Sequence, residues 1–165
     1  MEKKSARIAV VADSHDNLTL IKKAVAVIRE GRADAIFHGG DFVAPFTAAG
    51  FRRADVPLYG VYGNNDGDRA ALRRAYAPWG TLSPDPFRFD FRGFRILLTH
   101  KPRLAREAAA TPGYDLIAFG HDHHVRVECG DALVLCPGEL CGWVTGRASI
   151  ALVELGLSDV DIVYL

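Results

Sequence analysis

The chain has 165 residues, of which 49% are hydrophobic and 24% charged, and its 20 basic residues balance 20 acidic ones. This size is that of one ordinary globular domain, so we expect a single domain over residues 1–165. The charge balance gives no long-range attraction to nucleic acid or to an anionic membrane, and the apolar runs are too short to span a bilayer.

In the first half of the chain, predicted strands alternate with predicted helices. Apolar runs that end in polar loops predict strands over residues 6–12, 33–37 and 57–62. Apolar residues at helical spacing predict helices over residues 18–30, 45–53 and 69–76. Asn17 is suited to cap the first helix, and the alternation favours a largely parallel sheet.

The second half predicts shorter strands with antiparallel pairing. Arg92 and Gly93 separate two apolar runs and predict a tight hairpin. One helix is predicted over residues 103–109. The predicted strands cover residues 87–91, 94–99, 114–119, 125–128, 132–135, 148–155 and 159–164. We therefore expect an α/β fold in which two mixed β-sheets pack as a sandwich flanked by helices.

Metal-capable side chains follow five of the predicted strands directly. They are Asp13, His15, Asp41, Asn64, His100, His121 and His123. In open α/β sheets, ligands bind outside the strand ends, so these side chains are expected to converge. Carboxylate, imidazole and amide ligands together suit Mn²⁺, Fe²⁺, Zn²⁺ or Ni²⁺. Seven ligands exceed one tetrahedral site, which favours two ions about 3.5–4 Å apart that share one carboxylate.

Five motifs in this order resemble those of the calcineurin-like metallophosphoesterase superfamily over nearly the whole chain. The motifs are Asp13-Ser14-His15, Gly40-Asp41, Gly63-Asn64, His100 and Gly120-His121-Asp122-His123. Within that superfamily the chain is most similar to the small phosphodiesterases of the YfcE type, which lack a cap domain. The resemblance implies a hydrolase of small or nucleotide-like phosphodiesters.

The resemblance also implies roles for the individual residues. The first metal ion would be bound by Asp13, His15, Asp41 and His123. The second would be bound by Asp41, Asn64, His100 and His121, with Asp41 bridging and with Asp41, Asn64 and His100 as the catalytic residues. A metal-bridging hydroxide would attack phosphorus directly. Mn²⁺ is the expected ion, with Ni²⁺, Fe²⁺ and Zn²⁺ as alternatives.

Two positions depart from the family pattern beside the predicted ligands. Many relatives have a histidine where this chain has Asn65, which cannot donate a titrating proton to the leaving group. Diesters with good leaving groups are then favoured, unless Asp66, Lys101 or His124 supplies the proton. Lys101 replaces a common glycine, and its ammonium group is a candidate to bind a phosphate oxygen. Asn65 and Lys101 are therefore candidate substrate-binding residues.

Several residues near the motifs receive predictions of their own. His38 is predicted to orient a ligand through hydrogen bonds rather than to bind metal. His124 is left outside the ligand set, either solvated or at the rim. The segment from Cys136 to Glu139 resembles a family Asn-Pro-Gly-Ser segment, and its changed residues leave substrate contacts there and at Arg147 open. The remaining predictions are structural roles for Cys129, Cys136 and Cys141, and core or hairpin packing for Trp79 and Trp143.

Two alternative functions remain open from the sequence. A phosphomonoesterase is one, because a two-metal centre binds either kind of ester. A non-catalytic scaffold of the kind represented by the retromer subunit Vps29 is the other, although here every ligand position is filled. Three cysteines without a C-x-x-C pair and the absence of a signal-peptide pattern favour a cytoplasmic protein. A small phosphoester is the expected partner, nucleic acid and membrane are not, and a homo-oligomer is compatible with the sequence.

Overall fold

Two β-sheets lie face to face in the computed structural model, which describes residues 5–165. The helices are α1 (Leu18–Glu30), α2 (Thr47–Phe51), α3 (Arg69–Tyr76) and α4 (Pro102–Ala109). The strands are β1 (Ala6–Val11), β2 (Ala35–His38), β3 (Leu58–Val61), β4 (Gly80–Ser83), β5 (Phe87–Phe91), β6 (Phe94–Thr99), β7 (Leu116–Phe119), β8 (Val125–Cys129), β9 (Leu133–Pro137), β10 (Ser149–Leu155) and β11 (Asp159–Tyr164).

Both sheets contain parallel and antiparallel strands. The first has the order β11-β10-β1-β2-β3-β4, in which β1 to β4 are parallel and β10 pairs antiparallel with β1 and β11. The second has the order β5-β6-β7-β9-β8, with parallel β6, β7 and β9 between two antiparallel edge strands. The predicted sandwich of two mixed sheets is therefore confirmed.

Apolar side chains from both sheets fill the space between them. Phe37 on β2 is fully buried, and its ring makes edge contacts with Tyr59, Phe89 and Phe91 at centroid distances of 5.8, 5.3 and 5.3 Å. Burial of a side chain this large contributes about 1.5–3 kcal/mol. Separate apolar clusters lie beneath the helices, one under α1 to α3 and one under α4.

Helix α1 matches its predicted bounds because the sequence specifies both its ends and its buried face. The Asn17 side chain accepts a hydrogen bond from the Leu20 amide, and the helix ends at Gly31. Its buried residues recur at intervals of three and four and pack on the first sheet; they are Ile21, Ala24, Val25 and Ile28. The loop after β1 therefore leads into a helix that is fixed on the first sheet.

The structure differs from the prediction in a few elements. Strand β4 was not predicted, because only Leu82 in it is buried and it pairs with β3 alone at the sheet edge. The helix predicted over residues 45–53 is instead α2 followed by a 3₁₀ turn, Arg52–Ala54. The bounds of the other strands match the prediction or shift by one or two residues.

Two predictions of buried packing are wrong. Trp143 is 66% exposed, because it lies in an irregular loop before β10 rather than in a strand. Cys129 is exposed at the end of the edge strand β8, whereas Cys136 and Cys141 are buried as predicted. Within residues 5–165, no helix is long and apolar enough to cross a membrane.

Candidate metal centre

The parallel strands bring the predicted ligands to one edge of the sandwich. Asp13 and His15 follow β1, Asp41 follows β2 and Asn64 follows β3 in the first sheet. From the second sheet, β6 ends before His100, and β7 ends before the loop that carries His121 and His123. The carboxyl ends of neighbouring parallel strands meet at one edge, which explains the convergence.

One half of the centre is formed by Asp13, His15 and His123. Their ligand atoms all lie within 4.8 Å of one another. The Nε2 atoms of His15 and His123 lie 3.8 and 3.5 Å from Asp13 Oδ1, and the two imidazole rings stack with centroids 5.6 Å apart. Three potential ligand atoms thus face one small volume.

The other half of the centre is formed around His100. Its Nε2 lies 2.9 Å from Asn64 Oδ1 and 3.4 Å from Asp41 Oδ2, and its ring is 5.0 Å from that of His121. Asp41 Oδ2 is also 3.4 Å from His15 Nε2. The Asp41 carboxylate therefore lies between the two halves.

The polar atoms at the centre lack enough protons to satisfy one another, and a cation suits them. Among the described residues, Asp13 Oδ1 and His15 Nε2 are buried and have no hydrogen-bond partner. The Nδ1 atom of His100 faces the Gly39 carbonyl at 2.8 Å and must donate to it, so a neutral His100 turns an Nε2 lone pair toward the oxygens of Asn64 and Asp41. Such a set of oxygen and nitrogen acceptors fits divalent metal ions.

Backbone strain is concentrated in these loops. Five residues of the centre have left-handed backbone angles; they are Asp13 (φ 51°), His15 (φ 35°), Asp41 (φ 61°), His121 (φ 74°) and His123 (φ 60°). Each such conformation costs about 1–3 kcal/mol and persists only where the surrounding structure enforces it. Strain of this kind is typical of functional sites.

The ionisable side chains of the centre shift one another's pKa. Burial acts to raise the pKa of Asp41, but the nearby His100 imidazole and the hydrogen bonds from Asn65 outweigh it and hold that pKa well below its usual value. The neighbouring Asp13 carboxylate raises the pKa of His15, against the effect of burial. Asp41 is thus ionised at neutral pH and supplies negative charge for a cation.

Asp66 holds two of the ligand loops in place. Its side chain is buried, and its oxygens accept hydrogen bonds from the backbone amides of Asp41, Val43 and Gly63 at 3.0, 2.7 and 2.7 Å. A Cβ atom at Gly63 would collide with the Asp41 carboxylate, which explains the glycine. Because its oxygens are engaged by these amides, Asp66 faces the backbone of the ligand loops, and its candidacy as a substitute proton donor stays a prediction.

His38 lies beneath the loops rather than among the ligands. It is fully buried, stacks on Phe42 with centroids 3.6 Å apart, and accepts a hydrogen bond from the Gly40 amide at Nδ1. Its Nε2 is 3.1 Å from Ser14 Oγ. Burial lowers the pKa of His38 well below its ordinary value, so the ring is neutral. His38 therefore links the loops after β1 and β2.

Asn65 and Lys101 occupy different positions around the centre. The backbone and side-chain amides of Asn65 both donate to the Asp41 carboxylate at 2.8 Å, so its side chain points at a ligand. Lys101 lines a neighbouring cavity of about 540 Å³, and its Nζ is 3.7 Å from Asp85 Oδ2. The cavity also contacts Asn64, His100, His121, Arg69 and Arg103.

Sequence reasoning missed Glu139 and Asp85 as parts of the site. Glu139 is fully buried and lies 2.7 Å from His123 Nδ1, and Asp85 lies in a segment predicted only as a loop. Burial acts to raise the pKa of Glu139, but hydrogen bonds from His123 and Thr145 outweigh it and lower that pKa to about 2. A single carboxylate within the apolar run of residues 132–141 was the available signal.

His124 and Arg147 lie on the far side of His123. His124 is exposed and its Nδ1 donates to the Asp122 carbonyl at 2.7 Å, outside the cluster of ligands. The Arg147 guanidinium lies 4.4 Å from the centroid of the Tyr164 ring. Both residues line a smaller cavity of about 220 Å³ beside His123. They are therefore placed at the rim.

The fold and the cluster at its edge are those of a metallophosphoesterase. A family model described as the calcineurin-like phosphoesterase superfamily domain matches residues 6–157. The chain belongs to this superfamily and is a phosphoesterase by fold and family, so the resemblance predicted from its motifs is confirmed.

Individual relatives agree with this assignment. The chain is 31% identical over 153 residues to Phosphodiesterase MJ0936 of Methanocaldococcus jannaschii, a match that covers 90% of this chain and 92% of the relative. A solved structure described as a novel archaeal phosphodiesterase superposes with a TM-score of 0.90 at 27% identity, over 96% of this chain and 99% of the other. The E. coli phosphoesterase YfcE shares the fold, with a TM-score of 0.67 at 15% identity over 95% of this chain and 98% of its own.

Proposed function

We propose that the chain hydrolyses phosphodiester bonds of small or nucleotide-like substrates with the help of two divalent metal ions. The observation that carries the proposal is the position of Asp41, whose Oδ2 lies 3.4 Å from both His15 Nε2 and His100 Nε2. One carboxylate between two groups of nitrogen and oxygen ligands is the arrangement a two-metal hydrolase needs.

Each ion has its own set of proposed ligands. Asp13, His15, Asp41 and His123 hold the first ion; Asp41, Asn64, His100 and His121 hold the second. The ions supply a water of lowered pKa as nucleophile and neutralise charge on the phosphoryl oxygens. The mixed ligand set suits Mn²⁺ as the resident ion, with Ni²⁺, Fe²⁺ and Zn²⁺ as alternatives.

The protein itself orients the reacting groups. Asn65 holds the Asp41 carboxylate through two hydrogen bonds, and Asp66 fixes the backbone amides of Asp41 and Val43. Lys101 and Arg103 place positive charge along the cavity next to Asn64 and His100, where an anionic substrate approaches the second ion. Since the phosphate is guided by local cations, the neutral overall charge of the chain is no obstacle.

The leaving group departs without a histidine acid at position 65. Asp66 is occupied by backbone amides, and His124 faces a different cavity, so Lys101 is the remaining candidate to stabilise the leaving oxygen. Without a histidine acid, an aryl or nucleotide-type oxygen of low basicity departs more readily than a strongly basic alkoxide. Activated diesters are therefore the preferred substrate class.

Further features of the proposal follow from composition and packing. A core shared by the two sheets within residues 5–165 supports the proposal of a single domain. Free Cys129, Cys136 and Cys141 suit a reducing, cytoplasmic setting. Assembly into a homo-oligomer is compatible with the exposed edge strand β8.

The test is a comparison of diester and monoester hydrolysis by metal-stripped protein supplied with Mn²⁺, Ni²⁺, Zn²⁺ or Mg²⁺. Turnover of bis(p-nitrophenyl) phosphate should exceed that of p-nitrophenyl phosphate. Asp41→Ala and His123→Ala should each lower diester turnover by more than the roughly 10–100-fold loss that follows removal of a residue behind a metal ligand. His124→Ala, a neighbouring histidine outside the ligand set, is the matched control and should retain activity.

If the monoester is turned over faster than the diester, the proposed activity becomes that of a phosphomonoesterase. A specific observation favours this second candidate, because Lys101 and Arg103 would also suit the extra charge of a monoester. Well-folded protein that hydrolyses neither ester with any of the metals would overturn both enzymatic proposals and support the scaffold.

A further inference from the structure

Glu139 is the buried partner of one proposed metal ligand. It follows β9 in the turn after Pro137 and Gly138, and none of its surface is exposed. Its Oε2 lies 2.7 Å from Nδ1 of His123, whose Nε2 in turn lies 3.5 Å from Asp13 Oδ1. The imidazole of His123 therefore bridges a buried carboxylate and the first proposed metal position.

Hydrogen-bond donors surround both oxygens of Glu139. Oε1 accepts from the Val144 amide at 3.0 Å and from the Thr145 hydroxyl at 2.7 Å, and the Thr145 amide donates to it as well. Oε2 accepts from the Cys141 thiol at 3.1 Å. With donors on both oxygens, the group acts as an acceptor only, and the proton shared with His123 must reside on Nδ1.

The position of this proton decides what His123 can bind. We infer that Glu139 is a positioning residue that locks His123 as the Nδ1–H tautomer and thereby presents the Nε2 lone pair to a metal ion. The inference rests on the proposed metal centre, since it requires His123 to be a ligand. Carboxylates that hold a histidine ligand in this way raise its basicity and fix its ring orientation.

The same carboxylate also organises the loop that reaches the second histidine of this half. Glu139 gathers the amides of Val144 and Thr145, and the adjacent Trp143 donates its indole N–H to the His15 carbonyl at 3.4 Å. The loop thus contacts His15 while Glu139 contacts His123. Loss of Glu139 is therefore expected to weaken binding of the first metal ion more than binding of the second.

Glu139→Gln separates hydrogen bonding from tautomer control. The amides of Val144 and Thr145 require an oxygen at the Oε1 position, which places the glutamine NH₂ group against His123 Nδ1. An NH₂ donor there forces Nδ1 to accept and moves the imidazole proton to Nε2, where it blocks metal binding. Thr145→Val is the matched control, because it removes one hydrogen bond to Glu139 but leaves the contact with His123.

Two readouts test the inference. In metal-free protein, the ¹⁵N chemical shifts of the imidazole should show Nδ1–H for His123 in the wild type and in Thr145→Val, and Nε2–H in Glu139→Gln. Calorimetric titration with Mn²⁺ should show one of two binding events weakened about 10–100-fold by Glu139→Gln. Thr145→Val should bind Mn²⁺ as the wild type does.

Each outcome decides a separate point. Nε2–H on His123 in the metal-free wild type would overturn the inference, and this measurement holds even if a variant fails to fold. Unchanged Mn²⁺ binding in folded Glu139→Gln would overturn it as well. Protein with the expected tautomers and Mn²⁺ affinities but without turnover of any ester would instead contradict the proposed function and leave the role of Glu139 intact.

Discussion

At the scale of single residues, the centre combines buried charge with atoms that lack hydrogen-bond partners. Asp13 is fully buried, and its Oδ1 faces nitrogen atoms of His15 and His123 rather than a donor fixed by the fold. A buried acceptor without a partner costs about 1–3 kcal/mol, and more if it is charged. The metal-free protein therefore carries a stability cost that serves the binding of a cation.

This cost predicts that Asp13→Asn stabilises the metal-free protein while it destroys function. An asparagine amide can donate to a neighbouring imidazole nitrogen and removes a buried charge, so the free energy of unfolding should rise by about 1 kcal/mol. Urea denaturation with chelator at about pH 8.5, about two pH units above the ordinary histidine pKa, measures this free energy. The exposed Asp131→Asn is the control. Lower stability of Asp13→Asn would contradict the prediction.

Residue types alone predicted the proposed ligands but not the groups that hold them. Asp13, His100 and His123 are recognisable because metal-capable side chains follow apolar runs. Glu139 could not be assigned, because its partner His123 lies in the distant loop between β7 and β8 and only the folded chain brings the two together. Asn65 was predicted as a candidate substrate-binding residue, and the fold shows in addition that its side-chain amide donates to Asp41.

At the scale of elements, patterns with a clear period were predictable and irregular segments were not. Helix α1, helix α3 and the β5–β6 hairpin have the predicted bounds, since apolar spacing, caps and the turn all agree. Strand β4 has only one buried residue, so no alternation marked it. Trp143 lies exposed in an irregular loop, and its indole N–H makes a long-range contact with the His15 carbonyl that no local pattern encodes.

The aromatic cluster between the sheets provides a prediction at this scale. Phe37 contacts rings from β3 and β5, so Phe37→Ala removes packing that joins the two sheets. The free energy of unfolding should fall by about 3–5 kcal/mol in urea denaturation. Phe46→Ala, at a position 54% exposed, should change it by less than about 0.5 kcal/mol. Similar small effects for both variants would show that Phe37 does not join the sheets.

At the scale of the whole molecule, the sandwich brings loops from two sheets to one edge. Asp13, Asp41 and Asn64 come from the first sheet, and His100, His121 and His123 come from the second. Neither sheet alone contains the complete proposed ligand set. Metal binding and the packing of the two sheets are therefore expected to reinforce each other, because a cation held by both sheets stabilises only the folded arrangement.

Titration of metal-stripped protein with Mn²⁺, followed by calorimetry and by hydrolysis of bis(p-nitrophenyl) phosphate, tests the central claim most directly. Two ions per chain are predicted, with diester turnover that reaches its maximum only when the second has bound. Asp41→Asn should impair both binding events, because Asp41 lies between the two halves. A single binding event at full activity, or turnover that is independent of metal, would contradict a two-metal phosphoesterase.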